Sequence, residues 1–117
     1  MTQKPQIPFS DWQKLDIRVG KILEVEDHPK ADKLYVLKVS FGQEIGERTI
    51  VAGLKKHYTK EQLKGKQGIF IINLEPAVLR GIKSEGMTLA AVSDDESVIA
   101  ILQPDTAKHL HEGSKVR

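Results

Sequence analysis

The sequence predicts an all-β domain built as a small barrel. Short stretches of alternating apolar and polar residues follow one another along the chain, and turn-forming residues separate them. Only one stretch in the middle of the chain, residues 59–65, has the pattern of a helix. With 117 residues, the chain fits one domain with one hydrophobic core.

The first three strands are predicted from periodicity. Residues 15–26 alternate apolar with mostly charged side chains, as a long half-buried strand does. Gly20 interrupts this alternation and leaves Lys21 on the buried parity, which indicates a bulge or a sharp bend. Residues 35–41 and 48–52 follow as a predicted hairpin, and a glycine stands directly after each of them.

The helix comes next, with Thr59 as its predicted cap and Gly65 as its stop. The fourth strand, residues 67–74, contains four consecutive apolar residues, which suits a strand buried on both faces. A long loop and a closing hairpin of residues 89–92 and 98–102 complete the domain. Five strands with a helix between the third and the fourth are the arrangement of an OB-fold. A small sandwich and an SH3-like barrel are alternatives that explain the helix position less well.

Composition argues against several functional classes. The chain has no Cys, so it can form no disulfide, thiolate nucleophile or zinc-thiolate site, and its four His show no ligand spacing with acidic partners. We therefore expect no metal and no cofactor. The sequence has no Gly-x-Ser-x-Gly elbow and no phosphate-binding Gly-Lys loop, so it does not predict an enzyme. No stretch approaches the roughly 18 apolar residues of a membrane span, and we expect a cytoplasmic protein.

Charge is nearly balanced overall but uneven along the chain. Eighteen Lys and Arg stand against 16 Asp and Glu, which gives a net charge of +2. Six cations and one acid lie within residues 48–66, a distribution that predicts a basic side of the molecule.

Two local signatures stand where one predicted strand leads to the next. They are residues 28–35 (HPKADKLY) and residues 80–87 (RGIKSEGM). Each combines turn-forming residues, cations and small hydrogen-bonding groups, a combination that suits contact with an anionic polymer.

These signatures belong to a set of phrases that resembles the tRNA-binding domain family. In chain order the phrases are residues 15–22 (LDIRVGKI), 28–35, 50–54 (IVAGL) and 73–87 (NLEPAVLRGIKSEGM). The family includes the C-terminal domain or separate β-subunit of methionyl-tRNA synthetase, free-standing structure-specific tRNA-binding proteins, and the domain of endothelial monocyte-activating polypeptide II. The resemblance covers residues 9–116 and leaves residues 1–8 as an N-terminal extension. It implies an OB-fold, a homodimer, and recognition of tRNA by its shape.

Candidate RNA contacts follow from the signatures and the resemblance. RNA bound without sequence readout is held through phosphate, ribose and shape. The candidates comprise cations that can reach phosphate and small or soft groups on the face that the resemblance assigns to RNA. The cations are Lys33, Arg80 and Lys83, and the other candidates are Asn73, Ser84, Gly86 and Met87. Structural roles stay open for Asn73, which can satisfy backbone groups where the fourth strand ends, and for Met87, which can belong to the core. Glu85 should weaken a phosphate contact if it points inward.

The scarcity of aromatic residues decides what kind of RNA is expected. Phe41 and Phe70 read as core, so the chain cannot line its face with the stacking rings that single-stranded nucleic acids need. Folded RNA therefore fits better than single strands, and the resemblance implies a protein that binds folded tRNA as an accessory subunit or trans-acting cofactor of a methionyl-tRNA synthetase catalytic chain. Phe9, Trp12 and Leu102 are candidates for an apolar patch at the dimer interface.

The alternative is a CsaA-type export chaperone that binds unfolded peptides, since these chaperones share the fold and the dimer. Residues 41–46, and residues 101–105 together with 112–115, resemble the chaperones, whereas residues 31–35 and 84–87 resemble the tRNA-binding branch.

Overall fold

The structure is a computed structural model that describes residues 2–117. Over this range the chain forms, in order, α1 (Phe9–Trp12), β1 (Ile17–Asp27), β2 (Tyr35–Ser40), α2 (Gly42–Ile45), β3 (Glu47–Ala52), α3 (Lys60–Leu63), β4 (Gln67–Ile71), β5 (Ala77–Leu79), β6 (Ile82–Ser84), β7 (Met87–Thr88), β8 (Ala90–Val92) and β9 (Ile99–Ile101). Each helix spans only four residues. Among these described residues, none of the helices has the length and apolar character needed to cross a membrane.

The main sheet has five strands in the order β3-β2-β1-β4-β7, and all neighbouring pairs are antiparallel. Strands β6 and β7 also pack against β3. The sheet therefore curls until its two edges approach each other, which gives a nearly closed barrel. The five-stranded OB-like barrel predicted from the sequence is confirmed.

Helix α3 lies between β3 and β4, as the sequence predicts. The hydroxyl of Thr59 accepts a hydrogen bond from the N–H of Gln62 at 3.2 Å, and the Gln62 side chain accepts one from the N–H of Thr59 at 2.8 Å. This reciprocal capping box satisfies two donors that a helix start otherwise leaves free. Leu63 of the same helix is fully buried and joins the core.

One hydrophobic cluster fills the barrel. The predicted core rings Phe41 and Phe70 meet edge to face, with their centroids 5.4 Å apart. Leu37 and Ile50 are fully buried beside them, and along β2 the buried inward positions alternate with more exposed outward ones. Burial of each such side chain contributes roughly 1.5–3 kcal/mol to folding.

Strand β1 crosses the barrel and changes its buried face at Gly20. Lys21 is exposed and Ile22 is buried, so the break in alternation at Gly20 is real. The shift in pairing register, however, lies between Ile22 and Glu24 rather than at the glycine. Gly20 is needed for packing, since a Cβ there would lie 2.6 Å from both Phe41 and Val39.

The prediction of a long loop after the fourth strand is wrong in one respect, because this segment contains the hairpin β5-β6. At its turn Arg80 and Gly81 have φ values of 52° and 92°, as the two central residues of a type I′ turn require. The predicted closing hairpin exists as β8-β9, but its strands pair only with each other within the described chain, and Met87–Thr88 supplies the fifth barrel strand. The sequence also missed α2, which connects β2 to β3.

We predict that Gly20→Ala destabilises the barrel by roughly 1–3 kcal/mol, because the new methyl group overlaps Phe41 and Val39 in a packed core. The matched control is Gly53→Ala, where the nearest atom, Leu34 Cδ2, is 3.8 Å from the added Cβ. Urea unfolding of both variants measures the difference. Equal midpoints for the two variants would show that the core yields at Gly20.

Candidate nucleic-acid interface

The fold brings the two sequence signatures into direct contact. Residues 28–34 form the loop after β1, and residues 80–81 form the turn of the β5-β6 hairpin, about fifty positions further along the chain. Two hydrogen bonds join them. His28 Nε2 lies 2.9 Å from the carbonyl oxygen of Leu79, and Arg80 Nη2 donates to the carbonyl oxygen of Lys30 at 3.1 Å.

The contacts of His28 determine its tautomer. The side chain is buried, with 4% of its surface exposed, and its Nδ1 accepts a hydrogen bond from the N–H of Lys30 at 3.0 Å. Because Nδ1 is the acceptor, the ring hydrogen stands on Nε2 and is donated to the carbonyl of Leu79. His28 therefore shapes its own loop and holds the neighbouring hairpin at the same time.

The three predicted phosphate-binding cations lie on this joined loop and hairpin. Lys33 is exposed in the loop, Arg80 is exposed at the hairpin turn, and Lys83 is exposed on β6. Within residues 2–117 none of the three forms an ion pair with a carboxylate. Their charges are therefore available to an anionic ligand.

Ser84 and Glu85 close the barrel against its edge strand β3. The Ser84 hydroxyl accepts from the N–H of Val51 at 2.9 Å and donates to the carbonyl of Gly86 at 3.1 Å. Glu85 accepts from the N–H of Thr49 at 3.2 Å through its carboxylate, and its own N–H donates to the carbonyl of Thr49 at 2.8 Å. The Glu85 carboxylate thus turns to β3 and is engaged by protein backbone.

The remaining predicted site residues divide between backbone support and exposure. The Asn73 side chain accepts from the N–H of Asp16 at 2.8 Å and donates to the carbonyl of Lys14 at 2.6 Å, so it ties the N-terminal segment to the end of β4. Gly86 approaches β4 closely, since a Cβ there would lie 3.0 Å from the carbonyl oxygen of Ile71. Met87 is 43% exposed and lies outside the core cluster.

A small groove separates the hairpin from the barrel. It has a volume of about 170 Å³ and brings together the predicted residues Ser84, Gly86 and Met87 with Leu79 and Val51. Its lining is mainly apolar, and Arg80 and Lys83 directly follow and precede the lining residues Leu79 and Ser84 in the chain. A sugar or an unstacked base can contact such a surface while its phosphate contacts a cation.

Three of the six cations in the basic run of residues 48–66 pair with acids of β1. Asp27 of β1 pairs with Lys55 at 3.3 Å and with Lys60 at 3.0 Å, and Glu24 pairs with Lys64 at 3.6 Å. Hydrogen bonds from the ammonium groups of Lys60 and Lys55 lower the pKa of Asp27, and Asp27 in turn raises the pKa of Lys60.

Two further cations of this run serve the fold. Arg48 of β3 donates to the carbonyl oxygen of Ile72, just after β4, at 2.6 Å and to that of Glu85, just before β7, at 3.3 Å. It therefore links β3 to both of these segments. The Lys66 ammonium lies 5.8 Å from the centre of the Tyr58 ring. Arg48, Lys56 and Lys66 thus have no acidic partner in the described chain, so the basic side predicted from sequence counting is weakened by ion pairs at Lys55, Lys60 and Lys64.

No group of three or more His, Asp or Glu side chains in residues 2–117 is arranged to hold a metal ion.

Sequence reasoning missed the part that His28 plays in joining the two signatures. The available signal was a histidine placed directly before the proline of the first signature.

The sequence matches a family model described as "Putative tRNA binding domain" over residues 17–113. Curated relatives include the methionine–tRNA ligases of Pyrococcus horikoshii, 55% identical over 111 residues, and of Bacteroides fragilis, 47% identical over 114 residues. These matches cover 95% and 97% of the chain but only 14% and 16% of the relatives, so the chain spans about a seventh of their length.

Solved structures share the fold over nearly the whole chain. A MetRS-related protein from Pyrococcus horikoshii has a TM-score of 0.84 at 29% identity, and the match covers 97% of this chain and all of that one. The CsaA chaperone of Picrophilus torridus has a TM-score of 0.85 at 34% identity, with 96% and 100% covered.

We predict that Ser84→Ala destabilises the protein by about 1–3 kcal/mol, because it leaves the buried N–H of Val51 without an acceptor. The Val51 amide should also exchange faster with solvent, which NMR detects directly. The neighbouring Lys83→Ala, at an exposed position, is the control and should change stability by less than about 0.5 kcal/mol. Unchanged Val51 protection in Ser84→Ala would contradict this role.

Proposed function

Because this chain belongs to the tRNA-binding domain family, we propose that it is a structure-specific tRNA-binding module that holds folded tRNA through phosphate and ribose contacts. The observation that carries the proposal is the contact between the two signatures. It places the loop of Lys33 beside the hairpin of Arg80 and Lys83, and in the described chain these cations have no acidic partner.

The distribution of aromatic rings favours folded RNA over single strands. Phe41, Phe70 and Tyr35 are buried and offer no platform on which bases can stack. Within the described chain only Phe9, Trp12 and Tyr58 keep exposed ring surface, which is few rings for a face that stacks successive bases. Recognition then depends on phosphates, 2′-hydroxyls and the contour of the ligand.

The predicted residues divide into two roles in this proposal. Lys33, Arg80 and Lys83 contact phosphate, and Met87 with Gly86 offers the groove to a sugar or base. The polar atoms of Asn73 and Ser84 have protein partners, so we assign these two side chains chiefly to holding the interface in shape, and their direct RNA contacts stay a prediction.

We further propose that the module presents tRNA to a methionyl-tRNA synthetase catalytic chain in the cytoplasm. A tRNA bound beside a catalytic chain is held at a high effective concentration, so the module would assist a reaction that it does not itself perform. Residues 9–116 form the binding domain in this proposal, and residues 1–8 form an N-terminal extension.

The second candidate function is capture of unfolded peptides, and the likeness to CsaA chaperones favours it. Peptide capture rests on apolar surface and is weakly affected by salt, whereas binding to phosphates releases counterions and weakens steeply as salt rises. Salt dependence therefore separates the two functions.

We predict that Lys33→Ala, Arg80→Ala and Lys83→Ala each weaken binding to all tRNAs alike. Each should also reduce the slope of log K against log salt by about one, because each removes one phosphate contact. Fluorescence titration of unfractionated tRNA at four salt concentrations measures both quantities.

Lys115→Ala is the matched control for this titration. Lys115 is exposed, and its backbone forms an antiparallel β-bridge with Arg18 near the beginning of β1. The loop that carries Lys33 follows the other end of that strand. Its removal should leave the slope unchanged. Salt-insensitive binding of an unfolded peptide, together with no tRNA binding, would favour the chaperone function.

We also propose that the module is a homodimer, and we predict a sedimentation mass of about twice 13.1 kDa. Phe9 is 68% exposed and Leu102 is also exposed, which leaves apolar surface for a second copy. Phe9→Ser should shift the equilibrium toward monomer. The control is Val78→Ser, because Val78 is equally exposed but lies on the β5-β6 hairpin. A monomeric wild-type protein at micromolar concentration would contradict the proposal.

A further inference from the structure

We infer that His28 is a positioning residue for RNA binding: its Nε2 bond to Leu79 holds the tip of the β5-β6 hairpin where Arg80 and Lys83 act together with Lys33. The inference rests on the proposed function. His28 itself is buried and does not face the ligand, so its effect on RNA must pass through the hairpin.

The hairpin needs an external support. Its strands have three residues each, pair only with each other in the described chain, and carry mostly exposed side chains. An isolated two-stranded hairpin of this size is marginally stable in water. The barrel must therefore determine where its tip lies.

Two anchors supply this support, one at each end of the hairpin. At the base, Ser84 is buried and bonds to β3. At the tip, Leu79 bonds to His28, and Arg80 bonds to the carbonyl of Lys30. The base anchor acts at Ser84, the last residue of β6, and β6 also packs against β3, whereas the turn at Arg80 and Gly81 lies at the opposite end of the hairpin.

His28 is the stronger part of the tip anchor. The Arg80 bond is exposed to solvent and comes from a long flexible side chain, whereas the His28 bond is shielded by the burial of the ring. The second ring nitrogen accepts from Lys30 and so orients the imidazole toward Leu79. Orientation by a second hydrogen bond is the general means by which a histidine is held in one geometry.

Two substitutions separate the two bonds of the ring. Gln places its terminal amide where Nε2 stands and can still donate to Leu79, whereas Asn places its carbonyl where Nδ1 stands and can still accept from Lys30. We expect His28→Asn to release the hairpin tip while the loop keeps its turn. We expect His28→Gln to retain the tip anchor.

The test measures tRNA affinity against salt for the wild-type protein, His28→Asn and His28→Gln, together with amide exchange at residues 79–83 in the free proteins. His28→Asn should weaken binding about tenfold, reduce the salt slope by up to about two, and accelerate exchange in the hairpin. His28→Gln should recover most of the affinity and slope. In the Arg80→Ala, Lys83→Ala double variant, His28→Asn should have little further effect on the slope.

Several outcomes would overturn the inference. The first is that both variants bind tRNA with the affinity and salt slope of the wild-type protein. The second is that both variants lose the same affinity while the salt slope stays unchanged. The third is that amide exchange at residues 79–83 is unchanged in His28→Asn. Should His28→Asn fail to fold, the ring Nε2–H of the wild-type protein decides the matter by NMR, because slow exchange supports the anchor and fast exchange contradicts it. If wild-type protein does not bind tRNA, the proposed function fails, while hairpin exchange still tests the anchor.

Discussion

The structure depends on how the open edge of β3 is covered. A five-stranded sheet that curls into a barrel must bring its first and last strands together, and here the last strand, β7, has only two residues. Side chains complete the closure, since Ser84 and Glu85 accept from the backbone N–H groups of Val51 and Thr49. An uncovered edge would leave these donors unpaired and would invite pairing with another chain. The same segment carries the second signature, so barrel closure and the candidate interface share their residues.

This sharing explains why Ser84 and Gly86 cannot be interpreted from the signature alone. A short motif of a serine, an acid and a glycine beside a cation looks like a ligand site, because small polar groups allow close approach to phosphate. In the structure Ser84 is buried, its hydroxyl hydrogen-bonds to backbone groups of Val51 and Gly86, and Gly86 lets the segment lie against Ile71. The ligand then meets the surface that these residues build, above all Met87 and the cations nearby.

The sequence predicted the first four barrel strands, the capped helix and the core rings well, because alternation, an N-cap threonine and a run of apolar residues are local signals. It failed where a feature depends on contacts between distant segments. The pairing of His28 with Leu79 shows this, since the two residues are 51 positions apart along the chain and no local pattern encodes it. The hairpin turn at Arg80 and Gly81 was missed for a different reason, because a positive φ at a non-glycine residue is not read easily from one sequence.

Whether a lysine keeps a free charge also depends on contacts between segments that are distant in the chain. A run of lysines indicates an anion-binding surface only if no acid faces it, and in this fold β1 places Asp27 and Glu24 against Lys55, Lys60 and Lys64. Pairing of this kind withdraws cations from long-range attraction, since an ion pair presents a dipole where a free lysine presents a charge. On the loop and hairpin that His28 joins, by contrast, Lys33, Arg80 and Lys83 have no acidic partner in the described chain. A nearly neutral chain can thus bind a polyanion, provided that some of its uncompensated cations are held together, and rigidity of the hairpin then matters as much as the number of lysines.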